Sequence, residues 1–122
     1  TQATVLAYDI ADRMRANMPA VRTAAYHLPT TKAHATCRNV SGCTPTEMAQ
    51  TDAAMWTAAV AASLPGGEAV VCIDSDPDSV GGTGVGSPDC DNTGTMFAIK
   101  IWWDDDRNPA TPNQRFVTSF QP

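Results

Sequence analysis

The rhythm of apolar and polar positions divides the chain into two helical stretches followed by three strands. Over TQATVLAYDIADRMRAN, apolar residues fall at Ala3, Leu6, Ala7, Ile10 and Met14, and then at Met18, the three-and-four spacing of one face of an amphipathic helix. Asp9 with Arg13, and Asp12 with Arg15, occupy the other side at separations where helical side chains meet. Thr1 offers an N-cap, but Thr4 supplies no capping-box partner. The periodicity runs off the front edge, as in a frayed first helix or the end of a longer one. Pro19 disfavours helix in the residue before it, so this helix is expected to stop near Asn17, within a segment 1–18. The Thr-, Ala-, Pro- and His-containing stretch 19–43 shows no sustained period and reads as a long loop.

A second helix, within 44–64, carries the strongest local signal. Thr44 is the N-cap, Pro45 the first helical residue, and Glu47 completes a capping box. Met48, Met55, Ala59 and Ala62 trace one face, and Trp56, Val60 and Leu64 an adjacent stripe. The resulting apolar surface is broad and suited to packing on a sheet. Pro65, Gly66 and Gly67 end it. EAVVCI, Glu68 to Ile73, is short, β-branched and bounded by Gly and Asp, hence a strand. After a Gly/Asp-rich loop, TMFAIKIWW (Thr95 to Trp103) is the clearest strand. Its Phe97, Ile99, Ile101 and Trp103 mark a core face, and its Met96, Ala98, Lys100 and Trp102 an outer one. RFVTSF, Arg115 to Phe120, is the last strand. The order predicts an α+β domain, with both helices on one face of a small antiparallel sheet spanning 68–122.

With 122 residues the chain forms one domain with a modest core. A net charge of −5 and scattered basic residues exclude a nucleic-acid surface. No stretch approaches the roughly 18 apolar residues that span a bilayer. No signal-peptide pattern is present, so an exported protein would have lost its signal. Cys37, Cys43, Cys72 and Cys90 are separated by six, twenty-nine and eighteen positions, unlike the short spacing of zinc ligands. Disulfides, and with them an oxidising compartment, are the better account. Of the three connectivities open to four cysteines, sequential pairing lets each bond close one irregular loop.

Catalytic and ligand-binding motifs are weak. Asp74, Asp76 and Asp78 fit the first positions of a calcium loop, but Ser79 and Val85 stand where Gly and Glu are required, so a solvated acidic loop is expected. Asp104, Asp105 and Asp106 read as a charged guard at a strand end. GGTGVG, Gly81 to Gly86, has no following Lys-Ser/Thr and precedes no helix. No serine sits in a nucleophile elbow. His27 and His34 share one loop without an evident partner. Trp56, Trp102 and Trp103 suit core packing with one exposed aromatic rather than a sugar platform. Neither catalysis nor a metal or other cofactor is indicated.

The order of these features resembles a family. A helix ending in DIADRMRAN precedes a tyrosine-containing loop and a cysteine pair. A helix with a central Trp56 ends in LPGG, and a strand reaches Cys72. A Gly/Asp loop follows to Cys90, then IKIWW and a closing FVTSFQP. The whole chain is similar to the PilV-like minor pilins of type IV pili. That resemblance implies a pilin-like fold in which 1–18 is the C-terminal half of a long helix. The preceding half would be hydrophobic and would hold the protein in the inner membrane before assembly, with the head in the periplasm. It also implies a structural role in the minor-pilin complex that primes assembly, located at the pilus tip, with other minor pilins, the major pilin and a tip adhesin as partners. The alternative within the same architecture is a type II secretion pseudopilin of the I type, and from another class a secreted calcium- or glycan-binding module. The expected partner surface is the first helix. Leu6, Ile10 and Met14 form its apolar stripe, and Asp9, Asp12 and Arg13 are the polar contacts that choose neighbours.

Overall fold

Helix α1, Gln2–Arg15, turns Ala3, Leu6, Ala7, Ile10, Ala11 and Met14 into the interior, the face its periodicity predicts. The computed structural model describes residues 2–77, 82–105 and 113–122; Thr1, Asp78, Ser79, Gly81 and Asp106, singled out above, lie outside them. The chain does not pass directly from α1 into a loop. A short helix α2, Met18–Arg22, follows with Pro19 in its first turn and Asn17 before it. Proline lacks an N–H and fixes φ, so it starts a helix as readily as it stops one. The expected loop 19–43 therefore begins helically. It later contains a 3-10 turn, Ala35–Arg38, beside the Cys37–Cys43 disulfide.

Helix α3, Pro45–Ser63, begins at the expected capping box. The Thr44 hydroxyl accepts from the Glu47 N–H at 3.1 Å, and the Glu47 carboxylate accepts from the Thr44 N–H at 3.0 Å. Of its two predicted apolar stripes, Trp56 and Val60 are buried together with Ala49 and Ala53, whereas Met55 and Ala62 are exposed. Trp56 Nε1 donates to the Leu6 carbonyl at 2.8 Å and ties α3 to α1 inside the core. The helix stops where Gly67 crosses its end: a Cβ there would lie 2.6 Å from the Val60 carbonyl oxygen. No described helix is long and apolar enough to cross a membrane.

Strands β1 (Glu68–Ile73), β2 (Phe97–Trp103) and β3 (Gln114–Phe120) form an antiparallel sheet in the order β1-β2-β3. Val71 faces Ile99, and Lys100 faces Val117. Ala69, Val71, Phe97, Ile99, Ile101 and Phe120 join the helices in one core. Two expectations for β2 are corrected. Thr95 and Met96 precede the strand, and Lys100 and Trp102 are buried rather than outward. The chain after β1 folds back over the second face of the sheet, so both faces are covered. Alternation tells one face from the other, but it does not reveal a loop that lies across one of them.

Candidate interaction surface

The second sheet face is closed around a buried charge, with Trp102 packed beside it. Lys100 Nζ donates to Asp74 Oδ2 at 2.8 Å and to the Pro88 and Asp89 carbonyls at 2.9 and 2.7 Å. All three ammonium protons are thereby used, and the side chains of the ion pair are 0% and 3% exposed. The Cys72–Cys90 disulfide anchors the same loop. Trp102 Nε1 donates to the Gly82 carbonyl at 3.3 Å, and a Cβ on Gly82 would approach that indole to 3.2 Å. Cys72, Asp74 and Cys90 bring three ligand-type atoms within 4.8 Å of one another. Both sulfurs are held in the disulfide and Asp74 is paired with Lys100, so the group is committed to structure. Asp91 accepts from the Ser75 hydroxyl and N–H and from the Thr93 N–H. The Ser75 hydroxyl and backbone bonds are the main causes of its pKa lying below the ordinary carboxylate value.

The predicted helix face divides. Leu6, Ile10 and Met14 are 7%, 0% and 0% exposed. They belong to the core and are not an accessible partner surface, which corrects the expectation placed on them. Arg13 is turned inward as well. Its Nη1 donates to Asp52 Oδ1 on α3 at 3.1 Å, and its Nε to Asp9 Oδ1 at 3.2 Å. Burial would lower the Arg13 pKa, but the bonds to Asp52 and Asp9 outweigh it and raise it. Asp52 also accepts from the Tyr26 hydroxyl at 2.5 Å, and that hydroxyl accepts from the Asn17 amide at 3.2 Å. Arg13 and Asp9 thus belong to a network that joins α1, α3 and the segment after α2. Asp12 alone of the polar trio is solvent-exposed, and it pairs with Arg15 at 2.9 Å.

Opposite the buried stripe, α1 presents Val5 and Tyr8, 63% and 60% exposed, about two turns and one turn before Asp12. Neither residue lies on the three-and-four spacing of the buried face, so the helical period leaves both on the solvent side. Both histidines have partners. His27 Nδ1 accepts from the Ile73 N–H at 2.8 Å, and His34 Nε2 lies 2.6 Å from Gln50 Oε1. Trp102 is buried and Trp103 half-buried, so neither is the exposed aromatic expected. Val40 projects fully from the Cys37–Cys43 loop. No protein-family model, no curated protein and no solved structure matches this chain.

Proposed function

We propose that the chain is the globular head of a type IV pilus minor pilin of the PilV-like kind, a structural subunit of the complex that primes pilus assembly and sits at the tip. The observation that carries this reading is the two-sided first helix. One face of α1 is buried against the sheet and α3, while the other presents Val5, Tyr8 and Asp12 to solvent. A helix held rigidly on a disulfide-pinned head can present the same stripe to each neighbour in a filament. Tyrosine is a preferred anchor at such contacts, because it offers area at little entropic cost. In this reading the head is periplasmic before assembly and extracellular afterwards, and no catalytic chemistry is required of it. Its partners are other minor pilins, the major pilin and a tip adhesin.

Deletion of the gene in its own host, followed by counting of surface pili and fractionation of the protein, tests the proposal. Loss of piliation, restored by the intact gene, together with recovery of the protein in sheared pili, is the expected result. Normal piliation with a block in protein secretion would replace the proposal by the pseudopilin reading. Normal piliation and normal secretion would overturn both.

A further inference from the structure

The outer edge of β1 opens into an apolar cleft with unused main-chain hydrogen-bonding capacity. Successive residues of an antiparallel strand turn their N–H and C=O groups to opposite sides. The Asp74 N–H bonds to the Met96 carbonyl on the β2 side, so Cys72 and Val70 also face β2. Ile73, Val71 and Ala69 face the open edge. At one end that edge is covered: the Ile73 N–H donates to His27 Nδ1 at 2.8 Å, and the Val71 carbonyl accepts from the Leu28 N–H at 2.8 Å. The covering strip then leaves. Leu28 has a φ of 44°, in the left-handed region that a leucine seldom adopts, and Pro29 follows. Beyond this point the Val71 N–H and the N–H and C=O of Ala69 have no partner among the described residues. Both residues are nevertheless buried, at 2% and 5% exposure.

These groups face a cleft of about 190 Å³ between the departing segment at Leu28 and Pro29 and the α3 residues Trp56 and Thr57, with Val85 at its mouth. Leu28 and Val85 are 50% and 45% exposed, and no charged residue lines the space. We propose that the cleft is a docking site for an extended peptide segment of a partner chain. The segment adds to the Ala69–Val71 edge and places one uncharged aliphatic side chain between Leu28 and Thr57. Two N–H donors and one acceptor at strand spacing are what an added strand satisfies, while the pocket selects its side chain. A hydrocarbon ligand of the same volume would fill the walls and leave all three polar groups unbonded, a recognised cost in a buried site. The space is too small for a folded element. The inference concerns a surface other than the α1 stripe and stands apart from the pilin reading.

The test is an NMR titration of the ¹⁵N-labelled domain with blocked pentapeptides, acetyl-Thr-Val-Xaa-Val-Thr-amide, in which Xaa is Ala, Val, Leu or Phe. Expected are saturable downfield shifts of the Ala69 and Val71 amides at or below about 1 mM peptide, with slowed hydrogen exchange at both. N-methylation at Xaa should abolish them. Thr57→Leu, which fills the cleft from the helix side, should do the same while leaving the rest of the spectrum in place. The proposal is overturned if no peptide moves these two amides, if the N-methylated peptide binds equally, or if Thr57→Leu binds as well as the parent.

Discussion

Asp52 is the residue on which α1, α3 and the segment after α2 converge, through Arg13 and Tyr26. Neither bond was legible in the sequence, because a loop tyrosine and a mid-helix aspartate carry no spacing that links them. Their meeting depends on how the two helices pack. Burial, and then the hydrogen bond to Asp52, push the Tyr26 hydroxyl well above its ordinary value of 10.0. A raised value means that folding disfavours the phenolate. The resulting stabilisation is fully present below pH 10.0, the value in the unfolded chain, and is lost as pH rises through the higher folded value. Tyr26→Phe should therefore lower stability at neutral pH by about 1–3 kcal/mol, since Asp52 loses a buried donor. The gap between wild type and variant should narrow above pH 10.0. Urea midpoints across that range check both parts; a gap that stays constant into alkali would refute the assignment.

At the scale of elements, structure is legible in the sequence where the signal is local and illegible where it depends on tertiary cover. The capping box of α3, the three strands and both disulfides follow from neighbouring residues or from pairs that bracket a loop. Lys100 did not, because a lysine in an alternating strand ordinarily faces water. It is buried here because the loop after β1 brings Asp74 and two carbonyls to it. The pair is a clamp more than a source of net stability. Removing one partner of a buried ion pair costs about 3–5 kcal/mol, whereas an apolar replacement of both is often neutral. Lys100→Met should thus destabilise strongly, and adding Asp74→Leu should recover a good part of the loss, leaving the two carbonyls and the Asp76 N–H, which Asp74 Oδ1 accepts at 3.1 Å, as the residual cost. Chemical denaturation of the two single variants and the double variant reads the coupling; purely additive losses would show that the pair acts as two independent groups.

For the whole molecule, the question is which surface remains once every internal commitment has been counted. Arg13 and Asp9 are bonded within the head, so reversing their charges would test its folding before it tested recognition. Arg13→Glu places a third carboxylate beside Asp9 and Asp52, and the melting temperature of the head should fall. Val5 and Tyr8 carry no such burden, being 63% and 60% exposed. Polar replacement at positions of this kind usually changes stability by less than about 0.5 kcal/mol. The double variant Val5→Asp, Tyr8→Ser should therefore melt with the wild type as an isolated head. On the minor-pilin proposal, the same variant expressed in its own host should co-purify less with minor pilins and support fewer surface pili. On that proposal the contrast separates packing from recognition: one substitution harms the fold itself, and the other harms only assembly. If the double variant assembled pili at the normal level, the outer face of α1 would be excluded as the recognition surface, and neighbour selection would have to lie elsewhere on the head.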